Sequence, residues 1–378
     1  MERIDCAPRS GWQSRVEELG LVWHGANDRP YWNETAAYRF SSAEVETIEA
    51  ATAELYRLFL AAGQHVLDRN LLGDFGIPDF CHEAIRQSWD GEPAALNYGR
   101  FDLGYDGSGP PKLFEFNCDT PTSLLEASVI QWDWKEAVFP NADQYNSLHE
   151  RLVAKWRDIA PPRGTSKLHL TYVDGNMGED AVTVAYMADT AQQAGIDTQL
   201  ILTTDLGWDS AGRRFVDLDN RQIDALYHLY PWEWIIHEPF GREVIESLSS
   251  TLWIEPIWKM IWSNKAILPI LWDLFPGHPN LLEASRAPMN GDHVVKPLLA
   301  REGANVRIVK DGATVAQSDG DYGEEGFIYQ RLFDLPGKGD RRPVLGSWVI
   351  DGEPTGMGIR EDGPITGNGA RFVPHIIA

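Results

Sequence analysis

The longest helical pattern in the chain is "SSAEVETIEAATAELYRLFLAAGQHVLDRN", residues 41–70. There a capping serine precedes apolar residues at three- and four-residue spacing. It predicts one amphipathic helix with a structural role. Downstream the period changes. In "ALNYGRFDLGYDGSGPPKLFEFN", residues 95–117, two alternating segments flank a Gly/Pro turn, which predicts a β-hairpin. "KLHLTYVDGN", "EDAVTVAYMADTAQQAG" and "TQLILTTD" then read as strand, helix and strand, with Gly195 stopping the helix. With "DALYHLYPWEW" they predict a parallel α/β layer. The loop "DGNMGED" lacks the GxGxxG spacing of a dinucleotide fingerprint. "SNKAILPILWDLF" reads as a capped helix. From about Val294 the chain turns β-rich, in "VVKPLLAREGANVRIV", "GFIYQRLFDLP" and "SWVIDGEPTGMGIRED".

Composition narrows the class. The 378 residues are 43% hydrophobic and 24% charged, as in a folded chain with a large core and more than one domain. The formal net charge of −23 argues against nucleic acid and anionic membrane as partners; it serves solubility or favours a cationic substrate. Cys6, Cys81 and Cys118 form neither a disulfide framework nor a CxxC site. The start "MERIDCAPRSGW" carries no signal-peptide pattern, and the apolar run "AILPILWDLF" is too short to span a bilayer. A cytoplasmic protein is the expectation. The ten His show no zinc spacing. The Trp pairs 132/134, 232/234 and 258/262 read first as core filler and second as a cation–π cage.

The hairpin holds the candidate chemistry. If its strands pair about "YDGSGPP", Asp102 falls beside Glu115 and Arg100 beside Asn117. Alternation puts all four on one face. Two carboxylates and an amide are hard oxygen donors suited to Mg²⁺ and nucleotide phosphate, and the guanidinium suits a transferring phosphoryl group. The same residues would also make a plain salt bridge on a sheet surface. A slip of one residue would break the grouping. Beyond the hairpin, Thr120 is placed to cap a helix starting at Pro121, with Thr122 and Ser123 in its first turn, which would aim an anion-binding terminus at the hairpin. Cys118 reads as a small buried residue. Lys265 and Lys296 are basic residues in apolar surroundings, and Gly303 in "AREGAN" would let backbone amides approach phosphate. Snorkelling lysines would look the same.

Five blocks, "YGRFDLGYD", "LFEFNCDTPTSLLEA", "NKAILPILWDLFPGHPNLL", "VVKPLLAREGANVRI" and "GFIYQRLFDLP", resemble in this order the synthetase domain of the glutathionylspermidine synthase family and its stand-alone acid–amine ligase relatives. The likeness runs from about Trp23 to the C-terminus. It implies a mixed α+β and α/β chain, an ATP-grasp-type ligase with a pre-ATP-grasp α/β layer. Three regions are expected: 1–135, helical with the Mg-binding hairpin as part of the ATP-grasp core; 160–260, the pre-ATP-grasp substrate layer; and 261–378, the nucleotide-binding region. The bifunctional relatives carry an amidase ahead of the synthetase, and only the synthetase is expected in these residues. By the same resemblance Arg100 stabilises the transition state, and Asp102, Glu115 and Asn117 bind two Mg²⁺ ions. ATP would be held by Arg100, Phe101, Asp102, Lys265, Lys296, Gly303, Gln330 and Arg360. Thr120 would contact a thiol-peptide acid, and Glu179 and Asp180 would meet the amine. The expected activity is ATP-dependent joining of a small acid and an amine through an acyl phosphate. Two rivals stand beside it: a non-catalytic nucleotide- or polyamine-binding protein of the same fold, and a hydrolase using Asp102 and Glu115 as an acid–base pair.

Overall fold

The computed structural model describes residues 1–26, 29–159, 167–173, 175 and 178–378. The loop read at 174–180 therefore lies partly outside the described residues. The long helix forms as Ser42–Asp68, closed by a capping box in which Ser41 Oγ accepts from the Glu44 amide and the Glu44 carboxylate accepts from the Ser41 amide. Its apolar face, with Ile48, Leu55 and Phe59 buried, packs on an antiparallel sheet of five strands. In order these are Arg371–Val373, Glu353–Asp362, Arg342–Ile350, Gly99–Gly104 and Lys112–Asn117. The hairpin thus shares a sheet with strands from the end of the chain.

The hairpin register explains how its polar residues meet. Near the turn Gly104 pairs with Lys112 and Leu103 with Leu113; the register then shifts, so that Asp102 pairs with Glu115 and Arg100 with Asn117. A β-bulge at Phe114 makes the shift. Without it Asp102 would face Phe114. Between these pairs Phe101 and Phe116 point the other way and stack at 3.8 Å, with Phe59 of the long helix edge-on to both. Period-2 alternation therefore separates an aromatic core face from a charged face.

The α/β layer also forms as expected. Its four strands are parallel, ordered Leu252–Ile254, Ala225–His228, Leu168–Tyr172 and Thr198–Leu202, with the crossover helix Glu179–Gln193. Gly195 follows that helix at φ +91°. The β-rich last third supplies a second antiparallel sheet, ordered Ala284–Ser285, Phe327–Arg331, His293–Pro297, Arg307–Lys310 and Ala313–Gln317. A small sheet of Glu2–Asp5, Ala36–Phe40 and His375–Ile377 ties the two ends of the chain together.

Two helix starts differ from expectation. Residues 120–123 are not helical; helix begins at Leu124, passes through a π-helical turn at Glu126–Ile130 and continues as Gln131–Val138. Pro121 disfavours helical geometry at Thr120, and Ser123 sits at φ +66°. The expected capping role of Thr120 is thereby corrected. In "SNKAIL" the chain makes two helices, Lys259–Ser263 and Ile267–Leu274, broken at an extended Asn264. Its amide donates to the Phe75 carbonyl at 2.8 Å and its oxygen accepts from the Ala266 amide at 2.9 Å. Lys265 is left in the turn between the helices. The tryptophans are mainly core: Trp134, Trp232 and Trp262 are fully buried, whereas Trp132 and Trp234 are partly exposed.

Candidate active site

One cavity lies between the two five-stranded sheets. Its floor is the charged face of the hairpin. Arg100 Nε donates to Asp102 Oδ1 at 2.8 Å, Arg360 Nη2 to Asp102 Oδ2 at 2.6 Å, and Asn117 Nδ2 to Asp102 Oδ2 at 3.2 Å. Gly346, opposite Asp102 in the neighbouring strand, makes room for the guanidinium: a Cβ there would lie 2.6 Å from Arg100 Cδ. Glu115 pairs with Lys265 at 3.1 Å, and Lys265 also donates to the Ala300 carbonyl at 2.6 Å. The bulge leaves the Phe114 carbonyl outside the hairpin ladder, and Lys296 takes it at 3.0 Å while donating to Gln330 Oε1 at 2.8 Å. Gln330 Nε2 donates to the Leu113 carbonyl at 3.0 Å. Lys296 and Gln330 thus join the second sheet to the first.

The floor keeps its acids ionised. Burial works against the Asp102 carboxylate, but Arg100 and Arg360 outweigh it and hold the group at about 2. Glu115 is half-buried, and Lys265 and Lys296 bring it below its usual value. Burial also lowers Lys296, to about 8. Beside the floor the cavity has an apolar slot of Val294, Ile308, Leu332 and Val344, suited to a flat ring. The 301–303 loop forms the edge, with Gly303 at φ +67°, where a Cβ would meet the Thr366 carbonyl oxygen at 2.5 Å. Only glycine fits there without strain.

Among the described residues no group of three or more His, Cys, Asp or Glu gathers as a metal cage. The donors present, two ionised carboxylates and the Asn117 amide, fit a divalent cation that takes its remaining ligands from phosphate and water.

The opposite wall has the reverse character. Glu179 lines the cavity and bonds the Thr122 hydroxyl; burial, reinforced by the Glu126 and Asp180 charges, pushes it up to about 7. Burial raises Asp180 to about 6 against the pull of Arg301. Thr120 lies on the wall as expected, but its hydroxyl accepts from Arg301 Nη1 at 2.9 Å. Arg301 also bonds Glu233 at 3.2 Å. Burial lifts Asp119 to about 8, with Glu233 adding to the shift; one of its oxygens accepts from the Trp232 amide and the other is buried without a partner.

The structure therefore gathers Arg100, Asp102, Glu115, Asn117, Thr120, Glu179, Lys265, Lys296, Gly303, Gln330 and Arg360 around one cavity. Asp180 stands next to it. Phe101 is the exception: its ring is buried in the aromatic stack on the far face of the hairpin, away from the cavity. Cys118 is fully buried, as read. Arg301, Glu233, Asp119, Tyr31 and Glu126 escaped the sequence reading. Arg301 stood inside "AREGAN" and Asp119 inside "NCDTP", so a polar neighbour was the available signal. Tyr31 lies 95 residues from its partner Glu126 and carried none.

Comparison with known proteins shows the family. The family model described as glutathionylspermidine synthase preATP-grasp matches residues 3–378. A Haemophilus influenzae protein bearing the name "Putative acid--amine ligase" is 38% identical over 359 residues, covering 91% of this chain and 90% of its own. The bifunctional glutathionylspermidine synthetase/amidase of Escherichia coli is 30% identical over 367 residues, 89% of this chain; the match spans 57% of that longer enzyme. Among solved structures, a glutathione synthetase-like effector of Globodera pallida shares the fold at a TM-score of 0.55, with 12% identity and 97% and 98% of the two chains covered. The class defined by fold and site is that of the ATP-dependent ligases that form amide bonds between carbon and nitrogen. Within it, the chain belongs to the glutathionylspermidine synthase preATP-grasp family. Among the described residues no helix is long and apolar enough to cross a membrane.

Proposed function

We propose that this protein joins the carboxylate of a small, glutathione-like acid to a polyamine-like amine through an acyl phosphate. The observation that carries the reading is the floor itself, where two ionised carboxylates meet Arg100, Arg360, Lys265 and Lys296 beside an apolar slot. Asp102, Glu115 and Asn117 would hold two Mg²⁺ ions, which supply charge neutralisation for a phosphoryl group in transfer. Arg100 faces the transferring group, and Arg360 and the two lysines hold the nucleotide phosphates. Gln330 borders the base slot, and the Gly303 loop offers amides to phosphate and keeps water from the acyl phosphate. Thr120 contacts the acid. Glu179 and Asp180 receive the amine, whose charge matches theirs once they ionise.

The chemistry is economical for such a site. An amide does not form spontaneously from a carboxylate in water. Transfer of the γ-phosphoryl group makes a good leaving group, and attack by the amine releases phosphate. The test is ADP release with Mg-ATP across a grid of acids (glutathione, γ-glutamyl peptides) and amines (spermidine, putrescine, amino acids). Release that needs one member of each set supports the reading. ADP release with an amine alone, or amide formation without ATP consumption, would sink it.

A further inference from the structure

Behind the acceptor wall three side chains form one hydrogen-bonded line that ATP activation does not use. Ser123 lines the cavity, held at φ +66°, a backbone conformation costly for any residue but glycine. Its hydroxyl lies 3.2 Å from the Tyr31 hydroxyl, and the Tyr31 hydroxyl donates to Glu126 Oε1 at 2.6 Å. Glu126 is buried and opens the π-helical turn, a local widening often found at functional sites. The line starts beside the site's chemistry: the carbonyl of Thr122, the preceding residue, accepts from Arg100 Nη1 at 2.6 Å. It runs from the cavity surface to a carboxylate that solvent does not reach.

We propose that this line is the proton exit for the attacking amine. The inference rests on the acyl-phosphate reading above. The amine attacks as its free base. Its nitrogen lone pair forms the bond to the acyl carbon, the carbon–oxygen bond to phosphate breaks, and that electron pair leaves on phosphate. The nitrogen must then lose a proton to become an amide. That proton passes to Ser123 Oγ as the Ser123 proton passes to the Tyr31 oxygen and the Tyr31 proton to the Glu126 carboxylate. Ser123 is the catalytic residue. Tyr31 and Glu126 are positioning residues that orient its hydroxyl and draw the proton inward.

The surroundings suit this direction of transfer. Burial raises Glu126 above its ordinary value, and the charged groups facing it are the Arg100 guanidinium and Glu179, with the Tyr31 hydroxyl as its hydrogen-bond donor. Tyr31 in turn faces Glu126, Glu179 and Arg360. A carboxylate held in a dry site next to another acid gains from taking a proton. The arrangement separates two jobs: the floor manages phosphate charge, and the line manages the proton that amide formation sets free.

Tyr31→Phe removes the middle hydroxyl and keeps the ring, and Ser123→Gly removes the first hydroxyl at a φ that glycine accepts. With ATP and glutathione saturating, amide formation with spermidine should fall about 100-fold in each, the scale of general-base catalysis. Two readouts separate the relay from a structural role. Positional isotope exchange in ATP with the acid alone, which reports acyl-phosphate formation, should stay within about threefold. Glu126→Gln should erase the acidic limb of kcat at saturating amine while leaving the amine KM trend set by Glu179 and Asp180 in place. Unchanged spermidine turnover in Tyr31→Phe and Ser123→Gly overturns the relay, as does an equal loss of exchange and amide formation. Absence of isotope exchange in the unaltered protein with every acid of the grid overturns the acyl-phosphate reading and the relay with it.

Discussion

The floor and the far wall of the cavity both carry buried or half-buried carboxylates, yet their surroundings shift them in opposite directions. On the floor Asp102 sits at about 2 and Glu115 below its usual value because guanidinium and ammonium groups surround them. On the wall Glu179 and Asp180 rise to about 7 and about 6 because burial and neighbouring acids dominate. The same side chain is a fixed charge in one place and a titratable one in the other. This contrast teaches how one cavity can bring together two cofactor-like partners of opposite charge. A permanently ionised floor, already balanced by cations, suits a magnesium–polyphosphate complex. A wall that ionises near neutral pH suits a cationic amine and the protons it must lose.

Removing a floor charge should break the comparison most severely. Glu115→Gln keeps the shape but leaves Lys265 without its carboxylate, and turnover should fall by about a thousandfold, the scale of losing one electrostatic contact to the transition state. Steady-state ADP release measures it, with circular dichroism confirming the fold. Full activity in that variant would remove the floor from the chemistry.

The wall should respond to pH where the floor does not. Because the Glu179 and Asp180 values are raised, both groups are neutral at low pH and gain charge as pH passes through about 6 to about 7. A cationic amine needs the ionised forms, so KM for the amine should decrease across that interval while KM for ATP stays level. Glu179→Gln should flatten most of the trend. A smaller effect is expected at the rim. Gly303→Ala forces a Cβ onto the Thr366 carbonyl at a left-handed φ, which should cost about 1–2 kcal/mol in chemical denaturation. A stability change near zero would mean that the loop yields freely.

How much of this was legible in the chain follows the same divide. The hairpin part of the floor was readable because Arg100, Asp102, Glu115 and Asn117 lie close in sequence on two strands of one hairpin, where alternation and pairing suffice to group them. Even so, the grouping depends on the bulge at Phe114, which no residue type announced. The α/β layer was readable from its strand–helix–strand periodicity, and Gly195 fell where the helix ends. No local pattern marked the wall, where only the resemblance placed Thr120, Glu179 and Asp180, because it is assembled from Tyr31, the 120–126 segment, Glu179, Glu233 and Arg301, which no local period connects. Local rules misled there as well. "TPTS" has the composition of a helix start, yet tertiary partners claim its hydroxyls: Arg301 takes Thr120, and Tyr31 lies against Ser123. Phe101, placed at the nucleotide by the resemblance, has its ring in the core because strand alternation sends it to the opposite face.

The central claim is that the acid is activated on the floor by phosphoryl transfer before the amine attacks from the wall. The most direct measurement labels both oxygens of the acid's carboxylate with ¹⁸O, runs the complete reaction with the acid and amine that elicit ADP release, and analyses the released phosphate. One labelled oxygen transferred to phosphate per amide formed is the result this account requires. Phosphate free of label, with amide still produced, would contradict an acyl phosphate and with it the division of labour between floor and wall.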